Sequence, residues 1–502
     1  MGYHVEVGKA DVPTMISEAH HLGPKSHPAM HLRANALDPG FLAAVADGEA
    51  RLSPEQAMEI WHRLPLTELG RLADRRCRGL HGDTIRTYVI DRNINYTNVC
   101  TAKCTFCAFR RSQNAEDAYT LEHDTLLEKV QELVAIGGTQ ILMQGGMNPE
   151  LPLEWYLTLL HRIKDEHPQV HVHAFSPPEF IEFVKFFNPP GSTLKEQIRS
   201  VMEPLVEAGL DSVPGGGGEI FADAVRRKIG LGKCTAEAWL TVMRVAHELG
   251  LNTSATMMFG HIEGIADRIH HMDLARTWQD DAIQELGPNG GGRYHAFISW
   301  PFQPDHTPLG KQKCWGEGEG DDLDQPFPGD AVAKLDGSAT MFDHPEFGRR
   351  LRLAGANTYL RTQALSRLYL DNIWSIGSSW VTMGPHIGQV GLRYGANDMG
   401  SVMMEENVVS SAGTTHCLNE PMICRLIRDA GFVPAQRDND YRVLRPHFGP
   451  DAPDLDVEDW SKFRAASLHR ETESKTDAGC GSHYGTTSGD ASAIVDLTVE
   501  GN

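Results

Sequence analysis

Short apolar segments alternate regularly with amphipathic segments over residues 85–440. Apolar runs at about 87–90, 140–143 and 253–259 predict strands, and stretches with helical periodicity separate them. Strands that alternate with helices are typical of βαβ units, which place parallel strands in one sheet and cover it with helices. The simplest closed arrangement of such units is a barrel. The sequence therefore predicts an α/β fold, a (β/α) TIM-type barrel over residues 85–440.

The other predicted elements of this region follow the same pattern. Further strands are predicted at 170–175, 212–213, 294–300 and 380–383. Helices are predicted at 120–136, 154–164, 235–249 and 354–369, with another after Pro177-Pro178.

The segments outside the barrel have a different composition. Residues 1–84 predict an N-terminal extension with helices, one at about 41–47 and one that begins after Ser53. Residues 311–348, rich in Gly, Asp and Pro, predict a surface loop inserted into the barrel. Residues 441–502 form a C-terminal segment, and its polar, acidic part from residue 452 predicts a disordered tail.

Charge and cysteine content exclude several classes of protein. The formal net charge is −21, which disfavours nucleic acid and anionic membrane surfaces as partners. The nine cysteines are an odd number and mostly scattered, which fits a reducing cytoplasm better than a disulfide framework. We find no signal peptide and no apolar run of about 18 residues, so we expect a cytoplasmic protein with no transmembrane helix.

Three cysteines lie close together after the first predicted strand, as Cys100-x3-Cys104-x2-Cys107. Three thiolates suit a [4Fe–4S] cluster with one iron left open for a small molecule, whereas four thiolates are usual in electron carriers. The alternative is a zinc site or a set of structural thiols. Zinc usually takes four ligands in paired motifs, and no second pair follows here.

Glycine-rich and polar motifs follow the predicted strands, at the edge where parallel barrels carry their active sites. Gln144-Gly145-Gly146 would let a ligand approach the backbone, because glycine has no Cβ. The run at 215–218 before Glu219 could admit a ribose and bind its hydroxyls. Each of these motifs has a plain turn or flexible loop as its alternative.

Four further side chains are candidates for chemistry. His173 lies near the end of its strand and could reach a substrate, while His171 is interpreted as structural. His261 and Glu263 could transfer protons or anchor a loop. Asp398 belongs with residues 403–407 to a polar cluster after the last predicted strands, which could contact a substrate or could be a solvated face.

The motifs together resemble one branch of the radical S-adenosylmethionine (SAM) enzymes. The stretches that carry the resemblance are 94–100, 104–109 and 144–146, and those at 173–179, 255–261, 300–304, 379–385 and 404–410 are most similar to the cyclic dehypoxanthinyl futalosine synthases of the futalosine route to menaquinone. The resemblance runs from about 85 to 440. Aminofutalosine synthase and the deazaflavin synthase subunit, which belong to the same branch, are the nearest alternatives. A non-catalytic iron–sulfur protein is the alternative from another class.

The resemblance implies a cofactor set and a reaction. Cys100, Cys104 and Cys107 would hold the [4Fe–4S] cluster and SAM would chelate its open iron. The 5′-deoxyadenosyl radical would remove the ribose C4′ hydrogen of dehypoxanthine futalosine and a new ring would close. A one-electron reductant such as flavodoxin or ferredoxin would be the protein partner.

The resemblance also implies roles for particular residues. The cofactor-binding residues would be Phe106, Gln144, Gly145, Gly146, Ser176 and Glu219. Proton transfer would fall to one of His261, Glu263, Glu219 and Asp398. The substrate would contact His173 and, through its carboxylate, one of Arg293, Arg361 and Arg393.

Overall fold

The computed structural model describes residues 36–315 and 349–460. The predictions for residues 1–35, for most of the inserted loop (316–348) and for the tail from residue 461 lie outside the described residues.

The strands and helices alternate along most of the described chain. The strands are β1 (Ile85–Val89), β2 (Asp91–Ile94), β3 (Lys103–Cys104), β4 (Gln140–Met143), β5 (His171–Ala174), β6 (Ser212–Val213), β7 (Gly230–Leu231), β8 (Asn252–Phe259), β9 (Tyr294–Pro301), β10 (Lys313–Cys314), β11 (Arg350–Leu351), β12 (Ser375–Gly377), β13 (Asp398–Ser401), β14 (Val433–Arg437) and β15 (Val443–Pro446). The helices are α1 (Pro39–Asp47), α2 (Pro54–Arg63), α3 (Leu66–His81), α4 (His123–Ala135), α5 (Leu153–Glu166), α6 (Pro177–Phe187), α7 (Leu194–Glu207), α8 (Asp223–Ile229), α9 (Ala236–Glu248), α10 (Ile265–Leu286), α11 (Ala356–Tyr369), α12 (Trp380–Met383), α13 (Pro385–Gly391) and α14 (Glu420–Asp429).

The main sheet closes on itself because its first strand is divided into two parts. β1 pairs in parallel with β13, and β2 pairs in parallel with β4. Between them the order is β13-β12-β9-β8-β6-β5-β4, with every neighbouring pair parallel. Since Ile90 alone separates β1 from β2, the two ends of this order belong to one run of chain and the strands form a ring. The predicted TIM-type barrel is confirmed.

The segments that precede and follow the barrel in the sequence pack onto it. α3 packs against α11, and α1 packs against α3, so the N-terminal helices share the hydrophobic core of the barrel. α2 begins with a capping box between Ser53 and Gln56, as the sequence indicates. At the other end, β14 pairs with β1 outside the ring and β15 pairs antiparallel with β14.

Residues 380–383 form helix α12, so the strand predicted there is wrong. The strand of this unit is β12, which ends at Gly377. The Tyr359 hydroxyl then accepts a hydrogen bond of 2.8 Å from the Ser379 N–H, and Trp380 is buried with its indole donating to the Ser401 carbonyl oxygen. A short apolar run fits a buried helix as well as a strand, and here the packing of Trp380 decided.

The first residues of the predicted tail belong to the folded part of the protein. Ala452 and Asp454 are buried. Both carboxylate oxygens of Asp454 accept hydrogen bonds from the Arg428 guanidinium, at 2.5 and 3.0 Å.

Within the described residues, no helix combines the length and the apolar character that crossing a membrane requires.

Candidate active site

The cysteine loop follows β2 and is held at the carboxyl edge of the barrel by contacts with the segment after α8. β3 pairs antiparallel with β7, which sets Cys104 opposite Gly230. The Thr105 N–H donates to the Ile229 carbonyl oxygen at 2.8 Å. Cys100, Cys104 and Cys107 are partly buried free thiols on one loop.

The loop has the donor set of an iron–sulfur cluster. Burial raises the pKa of Cys100, and it raises the pKa of Cys104 to about 12 although Lys233 opposes this shift. Thiols of this kind ionise when a metal binds them. Over residues 36–315 and 349–460, no three His, Cys, Asp or Glu side chains converge tightly enough to hold a single ion. A cube takes one thiolate on each iron corner, so its ligands stay further apart than those of one ion. Three thiols on one loop match the three irons of a cube that the protein would bind, which leaves the fourth iron open.

Glu179, the third residue of α6, connects three segments around the cysteine loop. Its carboxylate accepts hydrogen bonds from the Tyr96 hydroxyl at 2.6 Å, the Gly145 N–H at 3.1 Å and the Ser176 N–H and hydroxyl at 2.7 and 2.6 Å. Burial raises the pKa of Glu179, and these hydrogen bonds act against the rise. Ser176 is thus bound to Glu179 through its N–H and its hydroxyl. Glu179 was not among the predicted site residues.

The Gln144-Gly145-Gly146 turn lies directly beside the cysteine loop. A Cβ on Gly146 would lie 2.1 Å from the Val99 carbonyl oxygen and 3.0 Å from Cys100 Cβ. A Cβ on Gly145 would lie 2.4 Å from the Tyr96 ring. The two glycines therefore allow close packing of this turn against the segment that leads into the cysteines.

Gln144 faces the second glycine-rich loop. A Cβ on Gly216 would lie 2.2 Å from Gln144 Nε2, so the absence of a side chain at 216 makes room for the Gln144 amide. The structure thus brings the turn after β4 and the loop after β6 together at one edge of the barrel, as parallel strands require.

Glu219 and Lys233 form a buried ion pair next to the cysteines. Lys233 Nζ lies 2.7 Å from Glu219 Oε1 and 5.0 Å from the centre of the Phe106 ring. The other carboxylate oxygen, Glu219 Oε2, is buried and accepts no hydrogen bond from the protein. Sequence reasoning missed Lys233. A lysine in the stretch Ile-Gly-Leu-Gly-Lys-Cys, just before a helix, was the available signal.

His261 and Glu263 form a loop anchor after β8. Glu263 Oε1 accepts hydrogen bonds from the Gly260 N–H at 2.6 Å and from Arg268 Nε at 2.9 Å, while Oε2 accepts from the His261 N–H at 2.9 Å. Burial acts to raise the pKa of Glu263, but His261 and Arg268 outweigh it and the pKa lies below its usual value. The His261 ring is fully buried 3.0 Å from Glu263, and burial lowers its pKa.

The polar cluster after β13 meets the end of β2. Glu405 pairs with Arg92 and Lys129, both at 2.8 Å. Asn407 donates to Glu405 Oε1 at 2.9 Å and to the Asn95 amide oxygen at 3.2 Å. These carboxylate contacts are buried, so the cluster is not a solvated face.

Asp398 and His173 both lie on strands of the ring, Asp398 at the start of β13 and His173 near the end of β5. Asp398 is the first residue of β13, and its carboxylate binds the Arg437 guanidinium through two hydrogen bonds of 2.6 and 2.9 Å. His173 Nδ1 lies 2.6 Å from the Ser212 hydroxyl, and burial lowers its pKa to about 3. The placement of Asp398 after the final strands is therefore wrong, because it begins the last strand of the ring.

The three arginines predicted as partners of the substrate carboxylate each contact the scaffold in this structure. Arg361 donates to the Trp61 and Leu64 carbonyl oxygens and holds α2 against α11. Arg393 donates to the Ala430 carbonyl oxygen and lies over the Phe432 ring. Arg293 precedes β9, at the amino edge of the barrel, and donates to the Pro288 carbonyl oxygen.

Two protein-family models match the chain. The model of the radical SAM superfamily matches residues 94–275, and the model described as the CofH/MqnC C-terminal region matches residues 346–447. Radical SAM enzymes use a [4Fe–4S] cluster and SAM, which agrees with the three-cysteine loop.

Solved structures share the fold at low sequence identity. The crystal structure of methylornithine synthase (PylB) has a TM-score of 0.54 and 15% identity, and the match covers 78% of this chain and 97% of that chain. The hydrogenase maturase HydG from Carboxydothermus hydrogenoformans has a TM-score of 0.52 and 14% identity, with 80% of each chain covered. These likenesses support the barrel alone.

Curated relatives are similar over nearly their whole length. The cyclic dehypoxanthine futalosine synthase of Halalkalibacterium halodurans is 38% identical over 417 residues, which cover 83% of this chain and 98% of the relative. The enzyme of the same name from Streptomyces coelicolor is 36% identical, with 82% and 90% covered. The aminodeoxyfutalosine synthase of Thermus thermophilus is 35% identical, with 79% and 93% covered. The chain belongs to the radical SAM enzyme family that includes the cyclic dehypoxanthine futalosine synthases.

Proposed function

We propose that this protein converts dehypoxanthine futalosine into cyclic dehypoxanthine futalosine in the futalosine route to menaquinone. The observation that carries the proposal is a three-cysteine loop at the carboxyl edge of the barrel, beside a buried carboxylate with an uncommitted oxygen, in a chain that aligns with 98% of a relative of that name. The nearest alternative in the family is the reaction of aminodeoxyfutalosine synthase, whose Thermus thermophilus form is 35% identical.

Cys100, Cys104 and Cys107 would hold the cluster. With SAM bound, the cluster would supply the radical chemistry that begins the reaction at the ribose C4′ of the substrate. The chain's own task is to place the cofactor and the substrate against each other and to exclude competing reactions.

Glu219 is the proposed contact for a ribose hydroxyl. Its Oε2 is buried and open, and a buried carboxylate oxygen without a donor is costly until a ligand supplies one. Lys233 Nζ lies 2.7 Å from Glu219 Oε1 and places a cation near Cys104. Phe106 under the Lys233 ammonium and the Gln144 turn would complete the SAM site, with Gly145 and Gly146 setting the position of that turn.

The other residues predicted for proton transfer are proposed as positioning residues. Glu263 and Asp398 each have both carboxylate oxygens bound by protein donors. His261 is enclosed between Glu263 and the Met258 carbonyl oxygen, 3.2 Å from its Nε2. Glu219 is therefore the carboxylate of this set with an oxygen left open to a hydrogen bond from a bound nucleoside.

The amino end of the barrel would keep solvent from the radical. Arg437 and Asp398 fill it with a two-hydrogen-bond ion pair, and the Asn439 amide donates to Ser212 at 3.1 Å. Filling this end of the barrel would prevent water from reaching a reactive intermediate through the amino end. His173, bound to Ser212, would act in this seal or at the lower wall of the substrate site.

The proposed partners are the small-molecule substrate and a one-electron reductant such as flavodoxin or ferredoxin. The reductant is needed because each turnover begins with an electron. We propose a cytoplasmic location because seven cysteines of the described residues are free thiols, including the three of the loop, while Cys417 is disulfide-bonded. The net charge of −21 supports the absence of nucleic-acid and membrane partners.

An anaerobic turnover assay tests the proposal. The protein with its reconstituted, dithionite-reduced cluster is incubated with SAM and dehypoxanthine futalosine, and the products are read by mass spectrometry. We expect substrate-dependent 5′-deoxyadenosine and a product lighter than the substrate by two hydrogens. Deoxyadenosine without a converted substrate contradicts the cyclase and directs the assay to the substrates of the two related enzymes. A loaded protein that never cleaves SAM contradicts a radical SAM reaction altogether.

A further inference from the structure

Several cations lie on or beside segments that contact the cysteine loop, although the chain as a whole is strongly acidic. We call this set the loop-side basic patch, and its members are Lys103, Arg227, Lys228, Lys311 and Lys313. Lys103, Arg227, Lys311 and Lys313 are exposed and Lys228 is partly buried. Asp223 lies 3.7 Å from Arg227 and offsets part of its charge.

Backbone contacts hold these cations close to the cysteines. Lys103 precedes Cys104 and pairs with Leu231 across the β3–β7 ladder. Arg227 and Lys228 lie in the last turn of α8, and Ile229, which follows them, accepts the Thr105 N–H. The segment with Lys311 and Lys313 begins at Leu309, whose N–H donates to the Thr105 carbonyl oxygen at 2.7 Å. Three separate segments thus bring positive charge to the outer side of one loop.

An exposed apolar side chain lies beside these cations. Leu231 is 49% exposed, and its backbone neighbour in the ladder is Lys103. A small apolar centre with a charged rim is the usual composition of a transient protein interface. Weak electron-transfer complexes have small interfaces of this kind.

The charge of the rest of the protein makes the patch selective. With 67 acidic residues against 46 basic ones, the surface repels an acidic protein in most orientations. Attraction at the patch then directs such a protein to the cysteine loop, which would hold the cluster. Opposite local and global charge therefore favours one docking orientation.

We propose that the loop-side basic patch is the docking surface for a small acidic one-electron carrier protein of the flavodoxin class; the inference rests on the proposed function because it assumes the cluster at the three cysteines. In each encounter the anionic flavin hydroquinone of the carrier becomes the neutral semiquinone. The one electron it loses reduces the [4Fe–4S] cluster from the 2+ to the 1+ state, and no bond is made or broken.

The test compares charge-reversed variants of the full chain, each with its reconstituted cluster. Lys311→Glu/Lys313→Glu changes the patch. Lys195→Glu/Arg63→Glu is the matched control, because these side chains are 49% and 62% exposed on α7 and α2 and the change in net charge is the same. One readout is the bimolecular rate at which reduced flavodoxin bleaches the cluster in an anaerobic stopped-flow cell. The second is the Kd for oxidised flavodoxin.

We expect the patch variant to be reduced about tenfold more slowly at low salt and to bind flavodoxin correspondingly more weakly, with the difference vanishing at high salt. The control should match the unchanged protein, and dithionite should reduce all three equally. Equal flavodoxin rates and Kd values for the patch variant and the control overturn the proposal, as does an unchanged protein that flavodoxin does not reduce. Both readouts precede turnover, so an inactive enzyme that flavodoxin still reduces through the patch would contradict the proposed reaction and leave the docking surface standing.

Discussion

The Tyr96 hydroxyl donates a hydrogen bond of 2.6 Å to Glu179 Oε1, and both side chains are buried. The bond joins the segment that leads from β2 into the cysteine loop to the first turn of α6. Because the same carboxylate also accepts the Gly145 N–H, one acid sets the relative positions of three carboxyl-edge segments.

Replacing Tyr96 by Phe should loosen the cysteine loop. We expect the free energy of unfolding to fall by about 1–2 kcal/mol, since a buried carboxylate loses one donor. We also expect less iron per chain after reconstitution. Tyr369→Phe is the matched control, because the Tyr369 hydroxyl also donates at 2.6 Å to a carboxylate, that of Asp273, away from the loop. Equal iron content in the two variants would contradict the positioning role of Tyr96.

Replacing Gly146 by Ala should abolish cluster binding. The new Cβ would lie 2.1 Å from the Val99 carbonyl oxygen, which is backbone and can move only with the loop. Visible absorbance and iron analysis after reconstitution measure the effect. Gly79→Ala is the control, because a Cβ there meets nothing within 4 Å and a helical Gly→Ala change stabilises by up to about 1 kcal/mol. A Gly146→Ala protein with a full cluster would show that the contact is not decisive.

Asp398→Asn separates a structural role from a catalytic one. The change weakens the ion pair with Arg437 and leaves a buried guanidinium without its anion, so we expect a loss of stability of about 3 kcal/mol. Turnover per folded molecule should stay unchanged at a temperature where the variant is folded. Urea unfolding and the anaerobic assay measure the two quantities. Normal stability with lost turnover would return Asp398 to the list of catalytic residues.

The Glu219–Lys233 pair should behave as one unit. Lys233→Met leaves Glu219 buried without its cation, and we expect destabilisation of about 3 kcal/mol and weaker SAM binding. Glu219→Gln combined with Lys233→Met should recover much of the stability and none of the SAM affinity. A double-mutant cycle on unfolding and a SAM titration measure these effects. Additive losses of stability would mean that the two side chains are not coupled.

Asp267 should make the stability of the protein depend on pH. It is buried at the start of α10, where its carboxylate accepts the Gly264 N–H at 2.8 Å, and burial raises its pKa to about 7. The folded state therefore keeps a proton that the unfolded chain releases near pH 4. The contribution is fully present below about pH 4 and is lost as the pH rises through 7.

Urea unfolding at pH 5 and pH 8 tests this dependence. Asp267→Asn should be less sensitive than the unchanged protein to the rise from pH 5 to 8, because it cannot ionise. Asp281→Asn, exposed on the same helix, is the control and should keep the dependence. An Asp267→Asn variant with the full pH dependence would assign the effect to other groups.

The sequence by itself determined the elements that depend on local pattern. The alternation of apolar runs and helical periodicity was enough for the barrel, because each strand and helix is specified by its own residues. The three cysteines and the motifs after β4 and β6 were also found, since the carboxyl ends of parallel strands converge in any such ring. The strand predicted at 380–383 was wrong because a run of four mostly apolar residues fits both a strand and a buried helix.

Only the tertiary structure decided which polar side chains are committed to the scaffold and which face the site. Arg361 donates to the carbonyl oxygen of Trp61, 300 positions away in the sequence. Asp398 accepts from Arg437, which belongs to β14 outside the ring. Tertiary packing also decided the partners of Glu179 and the pairing of Glu219 with Lys233 beside the cysteines. Local sequence cannot show these outcomes, because tertiary packing decides which polar side chains find hydrogen-bond partners in the scaffold and which keep an unpaired atom.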